Sequence, residues 1–445
     1  MKIIIAGSGE VGSHLAKLLS YDSKEITLID SDDEKLSFPN NQLDIKVVEG
    51  DCTSISILNK ANISNADLFV GVTARESVNI TSCLLAKQLG AKKTIARISN
   101  PELIKNRNVD FTQLGINELI SPEILTSKEI NMVINRAEFT DPFEFDDGAL
   151  ITLGLNASHT SIFIGKTVVD AAKIFPETHF FPIAIKRDEN TIIPRGDTVF
   201  HSGDHIVFMT EPGGEEELLK LSGQSNEQIK NVMILGGGNI GKKVAEDLTM
   251  DNINVKLVES DKDRAEELAE DLSDCLIIHG DGTNSDLLDE ENLNQMDSFI
   301  AVTGDSETNI MSSLIAKSKG VMKTIAMVDN LDYYKLTQVS GIDTLINKKL
   351  LAADAISKHI HKAEVVAISQ LANMDAELLE FVVNPDSEVC NKTIKELEFP
   401  RSAIIAGIIR DGNGYIVLGD FQILNGDRIV VCCLNDSINK VEKFF

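Results

Sequence analysis

Glycines, acids and threonines recur along this chain at a fixed offset. Gly7 and Gly236, like Asp30 and Glu259, stand 229 positions apart; Gly50 and Gly280, Thr73 and Thr303, and Asn79 and Asn309 stand 230 apart. A register held over five blocks is a duplication, so whatever unit it encodes must fold twice. In each copy an apolar run enters a glycine turn, Lys2 to Ala6 before Gly7 and Val232 to Leu235 before Gly236. Short β-branched runs then alternate with segments of helical period. Leu15, Ala16, Leu18 and Leu19 make one helical face in the first copy; Val244, Ala245 and Leu248 make its counterpart. This alternation predicts an α/β fold with two Rossmann-like, doubly wound parallel sheets.

A smaller module follows each copy. Lys166-Thr167 matches Lys392-Thr393, Phe175-Pro176 matches Phe399-Pro400, Arg187-Asp188 matches Arg410-Asp411, and Gly203-Asp204 matches Gly426-Asp427. Each module reads as a small α+β unit, one helix among four or five short strands, ending in a buried strand at Ile206–Met209 or Ile429–Cys432. The junctions before them are the polar, Phe-rich stretch Phe139–Asp147 and the stretch Ala363–Ala372. Glu211–Lys230, with Gly213-Gly214 and a run of Glu, reads as the linker between the halves. The expected domains are 1–137 and 229–364 (Rossmann) and 140–222 and 365–445 (small).

The 445 residues include 42 Lys+Arg against 69 Asp+Glu, a formal net charge of -27. So acidic a chain repels phosphate backbones, which argues against nucleic acid as a partner. With no Trp and four Tyr, stacking platforms for single strands are lacking too. No apolar run reaches the roughly 20 residues of a membrane-spanning helix. Met1 to Gly7 is too short and too soon polar for a signal peptide. Cys52, Cys83, Cys275, Cys390, Cys432 and Cys433 form no CxxC pair and are expected as reduced core thiols.

Gly7-Ser8-Gly9-Glu10-Val11-Gly12 follows a strand, opens a helix, and has Asp30 at the end of the next strand, 18 residues past Gly12. That context, not the glycines alone, is the dinucleotide fingerprint. The first glycine makes the tight turn, and the second lets backbone approach a pyrophosphate at the helix N-terminus. Asp30 is placed to accept ribose hydroxyls and would repel a 2′-phosphate, excluding NADP. The second copy is Gly236-Gly237-Gly238-Asn239-Ile240-Gly241 with Glu259, at the same spacing. Further candidates lie at strand ends: Asp51 and Asp281 after the third strands, and Thr73-Ala74 and Thr303-Gly304 after the fourth. Asp51 and Asp281 read equally as helix N-caps. Arg97 ends the fifth strand, where the second copy has Met327, so the two sites are not equivalent.

The order of GxGxxG, acid, Gly-Asp-x-Thr, Val-Thr, Ile-Ala-Arg and the Lys-Thr…Gly-Asp module, all doubled, resembles the TrkA family. These are the cytosolic regulatory subunits of bacterial Trk potassium uptake systems, built from tandem RCK (or KTN) domains. Gly280-Asp281-Gly282-Thr283 and Gly341-Ile342-Asp343 carry the likeness most closely, and it spans nearly the whole chain. The resemblance implies binding of NAD(H), ATP and ADP, and a homotetramer whose Rossmann units form a ring. It also implies a peripheral position on the inner face of the membrane, under a Trk-type integral membrane potassium channel subunit. Carried over, the first site is Gly7, Ser8, Gly9, Glu10, Val11, Asp30, Thr73, Ala74 and Arg97. The second is Gly236, Gly237, Gly238, Asn239, Ile240, Glu259, Asp281, Thr303 and Gly304. Glu10 departs from the pattern by adding negative charge at the phosphate-facing turn. The acid-free second turn should therefore suit di- and triphosphates better, while Arg97 points to the first half as the NAD(H) site.

Other readings are weaker. An NAD-dependent dehydrogenase needs an acid/base group near the nicotinamide. No Tyr-x-x-x-Lys supplies one, Tyr333-Tyr334-Lys335 has the wrong spacing, and His14 and His279 are single histidines beside turns. A Ktr-type channel or a potassium/proton exchanger uses similar regulatory units, usually one Rossmann unit per chain. His201, Asp204 and His205, or His359 and His361, could offer zinc ligands, but surface histidines are the plainer reading. No catalytic or metal site is expected. Pro122–Arg136 and Lys348–His361 read as helices whose apolar stripes have no obvious sheet left to cover within the chain; they read about equally as core-facing and as the crossover helices that the resemblance places between neighbouring units of a homotetramer.

Overall fold

The computed structural model describes residues 1–20, 25–100, 102–105, 109–137, 139–146, 148–174, 179–188, 190–222, 229–329, 341–360, 365–371 and 374–445. Six strands come first: β1 (Lys2–Ala6), β2 (Glu25–Asp30), β3 (Lys46–Glu49), β4 (Leu68–Gly71), β5 (Lys93–Arg97) and β6 (Glu118–Ile120). They form a parallel sheet in the order β3-β2-β1-β4-β5-β6. Five follow: β7 (Thr140–Phe145), β8 (Leu150–Asn156), β9 (Phe180–Arg187), β10 (Asn190–Ile192) and β11 (His205–Thr210), in the order β10-β9-β11-β8-β7. The second half repeats both. β12 (Asn231–Leu235), β13 (Asn254–Glu259), β14 (Cys275–His279), β15 (Ser298–Ala301), β16 (Lys323–Met327) and β17 (Thr344–Ile346) run parallel as β14-β13-β12-β15-β16-β17. β18 (Val365–Gln370), β19 (Ala376–Val382), β20 (Ala403–Arg410), β21 (Asn413–Tyr415) and β22 (Arg428–Leu434) form the order β18-β19-β22-β20-β21. The fold is two Rossmann-like sheets plus two small antiparallel ones.

The chain divides into two compact units, Met1–Asn135 with Ile229–Ile360, and Arg136–Gln228 with His361–Phe445. In the first unit, strands are apolar on both faces because helices cover both. Ile3 and Ile5 enter one core layer with Leu15, Leu19 and Val70, while Ile4 and Ala6 enter the other with Phe69, Cys83 and Ala86. Parallel strands buried on both sides require such uninterrupted runs. The strand order reverses between β1 and β4, which opens a crevice at their carboxyl ends.

The helices Pro122–Asn135 and Lys348–Ile360 take the core-facing of their two readings. Each is covered within the chain, by the first helix of the other Rossmann half. Pro122–Asn135 lies on Asn239–Met250, and Lys348–Ile360 lies on Glu10–Ser20. Ala352 and Ile356 share a core with Val11, Leu15, Leu19 and Ile120. Asn131 Nδ2 donates to Asp247 Oδ2 at 2.9 Å across the other crossing. The stripes are real, but they bury against a helix of the same chain, so they supply no argument for contacts between chains.

In the second unit both sheets contribute to one core, with Phe145, Leu150 and Ile183 from the first and Ile409, Val430 and Cys432 from the second. Arg195 Nη2 donates to the carbonyls of Pro400 at 2.8 Å and Ala403 at 2.6 Å. The junctions read as connecting segments are edge strands, β7 and β18. Pro142 is accommodated at the edge, beside a register shift in the β7–β8 pairing, where a missing N–H costs no ladder bond. The linker reading also fails over Gly214–Ser222. That segment is a helix burying Leu218, Leu219 and Leu221, since its glutamates occupy only the first turn. Residues 223–228, Phe175-Pro176, Asp147 and Tyr333-Tyr334-Lys335 lie outside the described residues. The six cysteines are free; Cys52, Cys83, Cys432 and Cys433 are buried, and burial pushes the Cys433 thiol up to about 12.

The repeated Arg-Asp and Gly-Asp pairs of the small modules meet. Arg187 grips the buried Asp204 through Nε at 2.7 Å and Nη2 at 2.8 Å, and Arg410 grips Asp427 at 2.7 Å through both nitrogens. Burial pushes the Asp204 pKa up, but the Arg187 and His201 N–H bonds outweigh it, leaving it below the ordinary value.

Two outcomes follow for stability. Ile356→Ala should destabilise the first unit by about 2–5 kcal/mol, the usual cost of emptying an isoleucine site, seen in urea denaturation. A depressed aspartate pKa gives stability that is present above the unfolded value of about 3.9 and is lost as pH falls through the folded value. Asp204→Asn should therefore lower stability at neutral pH and flatten the stability curve below about pH 4, read by thermal unfolding across pH.

Candidate functional site

The first glycine turn leaves β1 with Gly7 at φ +111°, a conformation that disfavours side chains, and a Cβ there would stand 2.8 Å from Thr73 N. At Gly12 a Cβ would stand 1.8 Å from Gly7 O, so the helix Glu10–Ser20 starts hard against the turn. Gly9 is different: a Cβ there would meet nothing within 4 Å. Packing demands Gly7 and Gly12, while nothing in the protein itself demands Gly9.

Asp30, at the end of β2, accepts from Ser8 N at 2.6 Å and Asp32 N at 3.0 Å, which fixes its carboxylate beside the turn. Each carboxylate oxygen keeps a further acceptor site. Asp51 neither caps the next helix nor stands free. Its Oδ1 accepts from Thr53 N and Oγ1, both at 2.8 Å, and these bonds hold its pKa below the ordinary value. Ser54 takes the N-cap position.

A cleft of about 450 Å³ opens beside the first glycine turn. Gly7, Gly9, Glu10, Val11, Asp30, Asp51, Thr73, Ala74 and Arg97 all border it. Ser8 and Gly12 do not: Ser8 is 4% exposed and its hydroxyl donates to Lys35 O at 2.8 Å. Sequence reasoning missed the cleft's other cations, Lys35, Arg75, Lys348 and Lys349. With Arg97 they outnumber Glu10, Asp30 and Asp51, so the wall favours an anion although the chain as a whole is acidic. Arg97 Nε is buried and has no hydrogen-bond partner among the described residues. A buried guanidinium donor left unmatched is costly. Lys349 forms an ion pair with Glu10 and lies 3.3 Å from Asp329 Oδ2; burial lowers its pKa. The negative charge that Glu10 adds at the first turn is thus paired with Lys349.

Asn79 was also missed as a site residue. It is 1% exposed, and its Oδ1 accepts from Thr73 N at 2.8 Å and Oγ1 at 2.7 Å. Its Nδ2 donates to Thr73 O at 3.0 Å and Arg97 O at 2.9 Å. One buried amide thus ties the loop after β4 to the end of β5. Its signal was present in the sequence: a polar residue on a buried helix face, kept in register as Asn309. Asn309 makes the same four bonds, with Met327 O in place of Arg97 O.

The second turn repeats the backbone. Gly236 has φ +106°, a Cβ on Gly241 would stand 1.9 Å from Gly236 O, and Cβ atoms on Gly238 or Gly304 would meet nothing within 4 Å. Gly238 caps the helix that Asn239 and the buried Ile240 begin. Glu259 accepts from Gly237 N at 2.7 Å and Asp261 N at 2.8 Å. A Cβ on Gly237 would stand 2.3 Å from Leu268 Cδ1 and 2.9 Å from Glu259 Oε2, so the leucine and the longer acid both crowd the position where the first half has Ser8. Arg264 Nε donates to Gly237 O at 3.0 Å. Asp281 repeats the Asp51 turn with Thr283, and Met327 is 5% exposed.

The zinc candidates do not converge. Asp204 is held by Arg187, while the His205 ring faces Asn156 and Thr140. His361 and the side chain of His359 lie outside the described residues. Among the described residues, no group of three or more His, Cys, Asp or Glu is placed to hold a metal ion, and no helix is long and apolar enough to cross a membrane.

Comparison with known proteins agrees with the doubled architecture. The TrkA-N domain family matches residues 3–122 and 232–348, and the TrkA-C domain family matches 156–223 and 378–445. Trk system potassium uptake protein TrkA homolog 1 of Methanosarcina mazei is 32% identical over 453 aligned positions, covering 100% of both chains. Trk system potassium uptake protein TrkA of Haemophilus influenzae is 31% identical, over 100% of this chain and 98% of its own. Among solved structures, the GsuK RCK domain shares the fold at TM-score 0.62 and 17% identity, over 100% of this chain and 94% of that one. The GsuK channel bound to NAD aligns at TM-score 0.62 and 18% identity, over 100% of this chain and 78% of that one. Matched twice over by both domain families and end to end by these relatives, the chain belongs to the TrkA family.

Proposed function

We propose that this protein is the nucleotide-binding regulatory subunit of a Trk-type potassium uptake system. In this reading it sits in the cytoplasm against the inner face of the membrane, bound to an integral membrane potassium channel subunit. It assembles as a homotetramer, an inference resting on family resemblance alone. No residue is assigned a catalytic role, and the division 1–137, 140–222, 229–364 and 365–445 serves as its domain map.

The observation that carries the reading is Gly9. The protein's own packing leaves its missing side chain unexplained, while the start of the helix Glu10–Ser20 and the cationic wall of the cleft face the same space. A phosphate group drawn close to the backbone accounts for all three. NAD(H), ATP or ADP would be held by Gly7, Gly9, Glu10 and Val11 at the phosphates, by Asp30 at the ribose hydroxyls, and by Asp51, Thr73, Ala74 and Arg97 around them. The second half would use Gly236, Gly238, Asn239, Ile240, Glu259, Asp281, Thr303 and Gly304. NAD(H) is assigned to the first half because Arg97 has no counterpart in the second, and adenine nucleotides to both.

Bound nucleotide acts through shape. It shifts a conformational equilibrium only by its differential affinity for two states, typically about 1–3 kcal/mol per site, and several coupled sites add up to a switch.

Gly9→Val should fold like the parent, since its Cβ meets no atom, yet abolish NAD binding at the first half in calorimetry. Asp30→Ala should weaken nucleotide binding by about 1.5–3 kcal/mol for each charge-assisted bond lost. NADP binding as tight as NAD would contradict the role given to Asp30. For the whole function, currents of the reconstituted channel subunit should depend on this protein and on which nucleotide is present. Currents indifferent to both, or steady turnover of NADH or ATP at enzyme-like rates, would refute it.

A further inference from the structure

The cleft of the first half is not built by the first half alone. Lys348 and Lys349, which border it, belong to the second Rossmann half and open the helix that lies on Glu10–Ser20. Lys349 reaches the glycine turn and pairs with Glu10, whose side chain is 66% exposed while that of Lys349 is 21% exposed. Asp329, after β16, lies 3.3 Å from the same ammonium through Oδ2, and its Oδ1 has no hydrogen-bond partner among the described residues.

We propose that Lys349, with Lys348 beside it, is a reader of terminal phosphate charge at the first site, and that Glu10 is the anion a phosphate displaces. The inference rests on the nucleotide-binding reading above and adds the residues that distinguish ATP from ADP and AMP. A phosphate reaching the mouth of the turn meets an ammonium already drawn out of water, so the desolvation is largely complete before the ligand arrives. The arriving group carries more charge than the single carboxylate it replaces. Because the lysine stays tethered to Asp329, an ion pair within the apo chain becomes a bridge from ligand to second half. The helix carrying Lys349 is seated through Ala352 and Ile356 in the core of the first half. Terminal-phosphate occupancy of one half is thereby transmitted to the other.

The device is one-sided. Ile120-Ser121-Pro122-Glu123 stands where the second half has Ile346-Asn347-Lys348-Lys349. Glu123, the counterpart of Lys349, is acidic and accepts from Ser121 Oγ at 3.2 Å. The exchange therefore supplies lysines in one direction only.

The test uses the full chain carrying Gly238→Val, whose Cβ meets nothing within 4 Å, to silence the second site. AMP, ADP and ATP are titrated by calorimetry. Lys349→Gln should weaken ATP at least tenfold more than AMP, with ADP between. Lys349→Arg should restore most of the preference, and the exposed Glu10→Gln should tighten ATP several-fold. An equal loss for all three nucleotides in Lys349→Gln, an unchanged ATP-to-AMP ratio, or weaker ATP binding in Glu10→Gln would each overturn the inference while leaving the nucleotide site standing. A parent chain that binds no adenine nucleotide would overturn both.

Discussion

At Gly12 a methyl group would lie 1.8 Å from the carbonyl oxygen of Gly7, and at Gly241 one would lie 1.9 Å from Gly236. This contact between a helix start and a strand end sets the geometry of each half. It draws the helix onto the turn, and so aims the unpaired first-turn amides into the crevice where the strand order reverses. The crevice's opposite wall is held by the buried Asn79 or Asn309, whose four hydrogen bonds tie together the ends of β4 and β5, or of β15 and β16. Backbone amides and loop carbonyls are thereby positioned without any ligand. A site arranged in advance loses little binding energy to ordering.

The second constraint is the exchange of helices. Each Rossmann half sends its last helix onto the first helix of the other, so the helix bearing one glycine turn is also the surface on which the other half rests. Close-packed interfaces of this kind do not deform gradually; they hold one arrangement or adopt another. In the proposed function, a change of charge at the turn would be felt where the halves meet.

Much of the fold was legible because the duplication tests every assignment twice. The apolar runs, the turns and the acids at the ends of β2 and β13 agree between copies. What escaped was decided by partners remote in sequence. Pro122–Asn135 and Lys348–Ile360 show their stripes plainly, but no local pattern says that a helix in the other half covers them. The segment from Gly214 reads as a linker because glutamates crowd its first turn, yet acids there suit the helix dipole and Leu218 decides the burial. Lys348 and Lys349 escaped for the same reason as the stripes. Their counterparts, Pro122 and Glu123, share neither charge nor shape with them, so comparing the copies hid them.

Where the copies diverge, they do so in compensated sets that leave the backbone alone. Glu259 is one methylene longer than Asp30 and meets Gly237 where the first half has Ser8, yet both carboxylates reach the same amide at 2.6–2.7 Å. Asn79 and Asn309 bind their loops at nearly identical distances although one braces an arginine and the other a methionine. The charges around the turns are not conserved in this way: Arg97 against Met327, Glu10 against Asn239, Lys349 against Glu123. In the proposed function, conserving the cradle while altering its electrostatics would keep both halves able to hold a nucleotide and make them weigh its phosphates differently. Two identical sites across an exchanged interface would report only how much nucleotide is present. Two sites of unequal charge can report which one it is.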